Sequence, residues 1–232
     1  MAKRGLQPQG VARRNKIILS AVKLFLEKGY EATTTAQIMK AIGMSTSSFF
    51  AAFKDKEALL LTLVESMFSS QFENASLLAN SSESPLFLYA AETSLQIYIT
   101  ELSEPLRELY VMAYTLPSTS EYINQNMASK LEGIFSPYNP GKTAKDFYEL
   151  DLASSGITRS FMAKRCDMYF TINEKLARYL SCCFKIFNVP EEEYMPVIGR
   201  VLETDLSSQA EGIIASAVAR AEAGFEKLGI GT

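Results

Sequence analysis

A run of four consecutive hydroxyl side chains near the start of the chain is followed closely by two lysines. These residues are Ser45, Thr46, Ser47, Ser48, Lys54 and Lys56. Hydroxyl groups donate and accept hydrogen bonds, and ammonium groups neutralise phosphates, so the spacing suits contact with a polyanion. Because Ser and Thr both donate and accept, they discriminate poorly between hydrogen-bonding edges on their own. The elements that hold the run therefore decide what it contacts.

The flanking residues predict two short helices joined by a glycine turn. Thr34 and Gln37 match a capping box, which begins the first helix. Gly43 supplies a tight turn, and Ser45 is placed to cap the second helix. In a helix-turn-helix of this kind, the second helix enters the DNA major groove and its N-terminal residues meet base edges. The hydroxyl run occupies that N-terminal position.

Longer helices are predicted on both sides of this motif. Apolar residues at three- and four-residue spacing predict a helix from Val11 to Lys28, which Gly29 ends. Asp55 is placed to cap a long helix over about residues 56–79. A small core under the motif is expected from Ile38, Ala41, Ile42, Met44, Phe49 and Phe53.

Charge is divided unevenly along the chain. The net charge is −3, but residues 1–60 hold ten Lys and Arg against four acidic residues, a net +6. Residues 61–232 hold 13 basic and 22 acidic residues, a net −9. Because the basic excess coincides with the helix-turn-helix, the asymmetry favours a nucleic-acid contact there and another role for the acidic remainder.

An ungapped series of positions over roughly residues 12–64 forms a specific pattern. It comprises Ile18-x-x-Ala21-x-x-Leu24-Phe25, Gly29-Tyr30, Thr33-Thr34-Thr35, Ile38, Ala41-x-Gly43-Met44-Ser45, Phe49-Phe50, Phe53 and Lys56-Glu57-x-Leu59. This pattern resembles the N-terminal domain of TetR/AcrR-type transcriptional regulators. The resemblance implies an all-α fold, in which an N-terminal three-helix helix-turn-helix DNA-binding domain is joined to a helical-bundle ligand-binding and dimerisation domain.

The resemblance and the charge pattern together imply a DNA-contacting surface. Its candidate residues are Arg13, Arg14, Thr34, Gln37, Ser45, Thr46, Ser47, Ser48, Phe50, Lys54 and Lys56. Three places depart from the usual family pattern: Phe50 replaces a Tyr, Ala52 replaces a Tyr or His, and Thr46-Ser47 replaces Lys-Gly. Since neither Phe50 nor Ala52 has a polar tip for a phosphate, we expect operator sequence and affinity to differ from the family norm.

The domain organisation is expected to follow the same division. Residues 1–10 form a flexible basic arm, and residues 11–55 form the DNA-binding domain. Residues 56–232 form the ligand-binding and dimerisation domain, whose first helix, about 56–79, connects the two.

The acidic remainder holds 20 Phe and Tyr and six Met, many at helical spacing. For any one of these residues, packing in a core is the favoured interpretation. The alternative, which the resemblance implies, is that they line a pocket for an apolar or aromatic small-molecule effector. Arg159, like Arg107, is placed to meet an acidic ligand group, although surface ion pairing with Glu104 or Asp151 is favoured. The candidate ligand-binding residues are Tyr98, Tyr110, Met112, Tyr114, Arg159, Phe161, Met162 and Phe184.

The last two predicted helices, between Pro190 and Lys227, mix small and aliphatic residues that permit close helix packing. Two helices from each subunit would form a four-helix interface, which is the homodimer that the resemblance implies. An intramolecular bundle is the alternative. The candidate interface residues are Val197, Val201, Ile213, Ala217 and Ala221.

Composition excludes several classes of function. The chain has no His, which removes Ser-His-Asp catalysis and His-containing zinc sites, so we predict no catalytic residue, metal or cofactor. Cys166, Cys182 and Cys183 fit no disulfide framework and indicate a reducing compartment. No apolar run approaches the length of a membrane span, so a cytoplasmic protein of bacterial type without membrane contact is expected.

We therefore predict a homodimeric DNA-binding regulator, most simply a repressor that a small molecule releases from a near-palindromic double-stranded DNA operator. Three alternatives remain open. One is a ligand-independent or activating regulator of the same architecture. The others are a regulator that senses oxidants through its cysteines, and a helical interaction module that no longer binds DNA.

Overall fold

A computed structural model describes residues 8–78 and 84–227, except for the side chains of residues 8, 68–78, 221 and 224–227. This part of the chain is all-α, as predicted. Its helices are α1 (Pro8–Lys28), α2 (Thr35–Ala41), α3 (Thr46–Phe50), α4 (Lys56–Leu78), α5 (Pro85–Leu102), α6 (Glu104–Ala113), α7 (Pro117–Phe135), α8 (Ala144–Ala163), α9 (Ile172–Ile186), α10 (Glu191–Glu203) and α11 (Leu206–Lys227). Residues 1–7 of the predicted basic arm lie outside the described residues.

Local signals set the ends of the first helices. The Thr34 hydroxyl accepts a hydrogen bond from the Gln37 amide at 3.2 Å, and Gln37 Oε1 accepts one from the Thr34 amide at 2.8 Å, which confirms the capping box. Asp55 Oδ1 accepts a hydrogen bond from the Ala58 amide at 2.7 Å and so caps α4. Gly29 has φ +89°, a left-handed conformation that favours glycine directly after a helix.

The first hydrophobic core lies under α1, α2 and α3. Ile38, Phe49 and Phe53 are buried as predicted, whereas Ala41 is exposed at the end of α2, so that prediction is wrong. The buried residues of this core are Ile17, Ala21, Phe25, Tyr30, Ile38, Met39, Phe49, Phe53, Leu59, Leu60, Val64 and Ile123. The first turns of α4 contribute three of these residues, so the connecting helix begins inside the core of the helix-turn-helix.

The second hydrophobic core surrounds α5. This helix contacts α4, α6, α7, α8, α9, α10 and α11, and most of its residues are buried. Aromatic rings fill much of the core, with Phe135 stacked on Phe187 at a centroid distance of 4.2 Å and Phe184 stacked on Tyr194 at 5.6 Å. The favoured interpretation of the aromatic residues as core packing therefore holds for this cluster.

Besides helix packing, two hydrogen-bonded carboxylates join the helix-turn-helix and α4 to the bundle. The Glu57 carboxylate on α4 accepts hydrogen bonds from the backbone amide and the hydroxyl of Ser118, at 2.9 and 2.6 Å. Glu108 on α6 accepts one from the Glu31 amide at 2.5 Å. The first contact joins α4 to the N-terminus of α7, and the second joins α6 to the loop after α1. The helix-turn-helix and α4 are therefore directly bonded to α6 and α7.

Within the part of the chain that the structure describes, no helix is both long enough and apolar enough to cross a bilayer.

Candidate nucleic-acid interface and ligand cavity

The N-terminus of α3 presents the hydroxyl run to solvent. Ser45, Thr46 and Ser47 are exposed and Ser48 is half-buried. The Ser45 hydroxyl makes no capping hydrogen bond, contrary to the prediction; it lies 2.9 Å from the Ser47 hydroxyl and 3.1 Å from the Ser48 hydroxyl. Within the described residues, these three hydroxyls are hydrogen-bonded only to one another. They can replace these hydrogen bonds by hydrogen bonds to base edges or phosphates.

Phe50 ends α3 as an exposed aromatic side chain. Its exposed fraction is 58%, while the adjacent Phe49 is fully buried and holds it in an edge contact with a centroid distance of 5.4 Å. An apolar ring at this place suits van der Waals contact with a thymine methyl group or a sugar better than hydrogen bonding to a phosphate.

Arg14 is engaged within the protein. Its guanidinium donates to the Ala52 carbonyl at 3.2 Å and to the Thr62 hydroxyl at 2.9 Å, and it lies 4.3 Å from the centroid of the Phe53 ring. Arg14 thus links α1 to the end of α3 and to α4. These contacts position the end of α3, and a DNA contact by Arg14 stays a prediction.

Lys56 is engaged in a similar way. Its ammonium donates to the carbonyls of Tyr30 and Thr33, at 2.7 and 2.9 Å, and lies 4.1 Å from the centroid of the Tyr30 ring. Burial lowers the pKa of Lys56 against the opposing effect of Glu108 and Glu31. Lys56 therefore stabilises the loop before α2, and its phosphate contact stays a prediction.

The other candidate DNA contacts lie at the surface. Thr34, Gln37 and Lys54 are exposed, and Arg13 is half-buried. In the capping box, the Thr34 side chain uses its hydroxyl and the Gln37 side chain uses Oε1. The side-chain nitrogen Nε2 of Gln37 takes no part in it. Together with the hydroxyl run and Phe50, these residues make up the rest of the candidate DNA-contacting set.

A second candidate site is a small cavity inside the bundle, with a free volume of about 30 Å³. We call it the acid cavity because Glu92 and Asp151 both line it. Its remaining lining combines tyrosines, hydroxyls and Gln96 with the apolar residues Ile123 and Met127 of α7. The volume accommodates water-sized groups, so a larger ligand requires the surrounding helices to move apart.

The two acids are almost completely buried, with exposed fractions of 2% for Glu92 and 4% for Asp151. Burial raises the pKa of Glu92 to about 7, against the hydrogen bond from Gln96 and the charge of Lys130. Burial also raises the pKa of Asp151 to about 6, against the hydrogen bond from the Ser154 hydroxyl. Both carboxyl groups therefore gain or lose protons near neutral pH.

Of the predicted ligand-binding residues, the cavity lining includes Tyr114, whose hydroxyl donates to Gln96 Oε1 at 2.9 Å. Met162 and Phe184 are fully buried in the second core instead. Arg159 is exposed and donates to the Thr115 hydroxyl at 2.7 Å, and the predicted ion pair with Asp151 does not form. The predicted pair with Glu104 is confirmed, because Arg107 forms it. The predicted residues outside the lining are Tyr98, Tyr110, Met112, Arg159, Phe161, Met162 and Phe184.

Sequence reasoning missed Glu92 and Asp151, although a signal was present. Each stands in a helix with no Lys or Arg three or four residues away, so neither has a helical ion-pair partner. An acid without such a partner on an otherwise apolar helix face must be neutral, hydrogen-bonded or matched by something outside the helix.

Two of the three cysteines, Cys166 and Cys183, lie in surroundings that disfavour a reactive thiolate. Cys183 is fully buried, and burial raises the pKa of its thiol to about 12. Burial, followed by the charge of Glu101, also raises the pKa of Cys166. Because the thiolate is the reactive form, these environments disfavour the oxidant-sensing alternative at both positions.

The predicted dimer residues occupy different environments. Val201 is fully buried in the second core and is thereby excluded from a partner-facing surface. Val197, Ile213 and Ala217 are half-buried, and the Ala221 side chain lies outside the described residues. Because α10 packs on α9 and α5, and α11 packs on α5 and α1, these helices form an intramolecular bundle whatever else they contact.

Comparison with known proteins bears first on the helix-turn-helix. Residues 17–63 match the family model described as bacterial regulatory proteins, tetR family. The matched segment contains α2, α3 and the first turns of α4, together with most of α1. It therefore coincides with the candidate DNA surface and its supporting core.

Similarity to curated relatives extends further along the chain. The HTH-type transcriptional regulator QacR of Staphylococcus aureus (strain Mu50 / ATCC 700699) is 29% identical over 115 residues, which are 48% of this chain and 61% of QacR. The chain thus covers less than two thirds of that relative. The biofilm operon icaADBC HTH-type negative transcriptional regulator IcaR of S. aureus (strain Newman) is 26% identical over 147 residues, 60% of this chain and 78% of IcaR.

One solved structure resembles the whole fold. The crystal structure of a gamma-butyrolactone receptor (ArpA like protein) superposes with a TM-score of 0.50 at 18% identity, covering 84% of this chain and 98% of that one. At this identity the likeness concerns the fold, in which a helix-turn-helix precedes a helical bundle.

Proposed function

We propose that this chain, which belongs to the TetR family of bacterial regulatory proteins, is a homodimeric transcriptional repressor released from its DNA operator by a small molecule in the acid cavity. The observation that carries the proposal is a short connection between the two candidate sites. Residues 114–123, which we call the junction segment, touch the acid cavity at both ends and the connecting helix α4 between them.

The DNA-binding part rests on α3 and its supports. The exposed hydroxyl run stands at the N-terminus of α3, where a recognition helix meets base edges. Arg14 donates to the Ala52 carbonyl after α3, and Lys56 donates to carbonyls in the loop before α2, so the surface is preorganised. Two copies of α3 in a dimer would meet successive half-sites of a near-palindrome when about 34–36 Å apart.

The junction segment supplies the coupling. Tyr114 lines the cavity, Ser118 donates two hydrogen bonds to Glu57, and Ile123 both lines the cavity and belongs to the first core. A ligand that expands the cavity displaces Tyr114 or Ile123, and α4 follows through Glu57. Since a ligand that favours an altered α3 spacing weakens operator binding, DNA must weaken ligand binding equally.

Dimerisation is proposed through α10 and α11, with Val197, Ile213 and Ala217 at the edge of the interface. Their half-buried side chains leave apolar surface that a second copy would cover. Sedimentation equilibrium at micromolar concentration tests this part: a dimer mass is expected, and a monomer that still binds a full operator would contradict it. Because its proposed partner is operator DNA, its proposed location is the bacterial cytoplasm.

The test of the whole proposal begins with selection of bound sequences from random duplexes, followed by footprinting on the selected site. We expect two protected half-sites related by approximate two-fold symmetry. One asymmetric half-site would contradict the dimeric arrangement. Binding to random DNA that does not weaken with salt would favour the interaction-module alternative.

A further inference from the structure

The end of α3 is a segment without hydrogen-bonding side chains. Residues 49–53 read Phe-Phe-Ala-Ala-Phe and stand between the hydroxyl run and Lys54. Phe49 and Phe53 are buried in the first core, whereas Phe50 is 58% exposed. The solvent-facing surface at this end of α3 is therefore supplied by the Phe50 ring and by alanine methyl groups.

Phe50 shares a face of α3 with Ser47 and Thr46, which precede it by three and four positions. Both residues are exposed and belong to the hydroxyl run, which stands where a recognition helix meets base edges. The ring lies one helical turn, about 5.4 Å, further along that face. Because base pairs are stacked about 3.4 Å apart, the ring is placed to meet a base pair one or two steps beyond those that the hydroxyls meet.

The exposed ring of Phe50 rests on a fixed support. Phe49 packs against it edge-on at a centroid distance of 5.4 Å, and Phe49 packs in turn on Phe53 at 5.7 Å. The Arg14 guanidinium lies 4.3 Å from the centroid of Phe53 and donates to the Ala52 carbonyl at 3.2 Å. A ring held in this way loses little conformational freedom when DNA covers it, so its apolar surface is preorganised for contact.

We infer that Phe50 reads the C5-methyl group of a pyrimidine in the major groove, so that each half-site of the operator holds a thymine at this place. The inference rests on the DNA-binding part of the proposed function and adds the base that one residue recognises. On the major-groove edges of the base pairs, the thymine methyl is the apolar group. A phenyl ring has no donor or acceptor for the other groups on these edges, so the methyl group is its matching partner.

The same contact makes operator binding sensitive to cytosine methylation. Cytosine methylated at C5 presents in the groove the methyl group that thymine presents, and unmethylated cytosine lacks it. Deoxyuridine is the converse probe, because it keeps the hydrogen-bonding groups of thymine and lacks the methyl group. Two pairs of bases, thymine with uracil and 5-methylcytosine with cytosine, therefore each differ by the one group that the ring is inferred to read.

Duplexes that differ by one methyl group test the inference on the full-length protein. The operator is first selected from random duplexes, and each thymine of a half-site is then replaced in turn by deoxyuridine. Fluorescence anisotropy at one fixed salt concentration measures each affinity. At one thymine in each half-site we expect the loss of the methyl group to weaken binding about fourfold, the scale set by burial of one methyl group. With cytosine and 5-methylcytosine at that position, the methylated duplex should bind about fourfold more tightly.

Variants of the same surface assign the effect to the ring. Phe50→Ala should bring both affinity ratios close to one, whereas Phe50→Tyr retains the ring and should retain both ratios. Lys54→Gln is the control, because an exposed ammonium suits a phosphate and not a methyl group. It should weaken binding to both members of each pair equally. Because Phe50 is largely exposed, its variants should keep the urea midpoint of the wild type; Phe50→Gln replaces Phe50→Ala if the latter does not fold.

Two results would overturn the inference. The first is a wild-type protein whose affinity does not change when deoxyuridine replaces any thymine of the half-site. The second is a Phe50→Ala variant that keeps the wild-type ratio between the thymine and uracil duplexes. If that variant also binds both duplexes more weakly, the ring lies against a sugar; if its affinity is unchanged, the ring lies outside the interface.

Footprinting on the selected site separates this inference from the proposed function. If the protein protects one asymmetric half-site, and its affinity depends on a pyrimidine methyl group through Phe50, the inference stands and the dimeric repressor fails. If it protects two symmetric half-sites, and neither depends on a pyrimidine methyl group, the repressor stands and the inference fails. If no sequence is enriched from the random duplexes, both fail.

Discussion

Glu92 and Glu101 lie on the same helix, α5, yet their surroundings are opposite. Glu101 accepts hydrogen bonds from Lys175 at 2.6 Å and from the Cys166 amide at 3.2 Å, and lies 3.4 Å from Arg107. Glu92 accepts one hydrogen bond from a neutral amide, and its second oxygen has no partner. Glu101 is therefore hydrogen-bonded to a cation of the protein, whereas Glu92 is hydrogen-bonded to a neutral amide and senses the charge of Lys130.

The pKa directions express this difference. Burial alone would raise the pKa of Glu101, but the hydrogen bonds from Lys175 and Cys166 and the charges of Lys175 and Arg107 hold it below its ordinary value. Burial raises the pKa of Glu92 to about 7 because no comparable partner opposes it. The stabilisation from Glu101 is thus present above its ordinary pKa and lost on acidification, whereas ionised Glu92 destabilises the fold at high pH.

Breaking the matched pair is expected to have the largest effect. Lys175 is fully buried, and its ammonium donates to Glu101 and to the Lys164 carbonyl at 2.5 Å. Lys175→Met leaves the Glu101 charge inside the bundle, which should cost about 3–5 kcal/mol of unfolding free energy in urea titrations at pH 7. Lys145→Met, which removes an exposed cation paired at 3.9 Å, is the control and should change stability by less than about 1 kcal/mol.

Removing the unmatched charge should do the reverse. Glu92→Gln retains the acceptor for Gln96 and removes the penalty of ionisation, so it should stabilise the protein at pH 8. Between the ordinary pKa of 4.5 and the raised value of about 7, the gain grows by about 1.4 kcal/mol per pH unit, up to about 3 kcal/mol. Urea titrations at pH 8 and pH 4.5 measure it; a variant that is less stable than the wild type at pH 8 would show that ionised Glu92 has a partner.

The helix-turn-helix was largely predictable because its signals are local. Thr34 and Gln37 cap α2, Asp55 caps α4, and Gly29 takes a left-handed conformation, each from a few neighbouring residues. The engagement of Arg14 was not predictable, because its partners Ala52 and Thr62 lie far along the chain. A basic residue near a DNA-binding motif has the same sequence signal whether it contacts phosphate or backbone.

The ligand site was the least predictable part. Aromatic residues at helical spacing were predicted to line the ligand pocket, but some of them, such as Phe184, are buried in the second core. The cavity depends instead on Glu92 of α5, Asp151 of α8 and Tyr114 directly after α6, which are far apart in the sequence. Neither Glu92 nor Glu101 has a Lys or Arg three or four residues away, and the matching cation of Glu101, Lys175, lies on a distant helix, so sequence alone does not separate the two acids.

The two contacts between the bundle and the helix-turn-helix extend the comparison. Glu57 binds Ser118 in the junction segment beside the acid cavity, whereas Glu108 binds the Glu31 amide away from the cavity lining. Glu57→Gln should weaken the linkage between ligand and operator by about 1–2 kcal/mol, measured as the ratio of operator affinities with and without ligand. Glu108→Gln should leave that ratio unchanged; an equal loss in both variants would mean that coupling is not confined to the junction segment.

The same distinction between matched and unmatched charge predicts the smallest effect, at the DNA surface. The Lys56 ammonium is bound to two carbonyls, whereas Lys54 is exposed beyond the end of α3. Lys54→Gln should therefore leave the urea midpoint unchanged and reduce the slope of log affinity against log salt by about one, since one phosphate contact is lost. Lys56→Gln should instead lower the urea midpoint. The opposite result would be that Lys54→Gln leaves the salt dependence of binding to random DNA unchanged while Lys56→Gln reduces it. In that case the ammonium of Lys56 exchanges its carbonyl partners for phosphate in the complex. Hydrogen bonds of a lysine within the free protein would then not show that its role is purely structural.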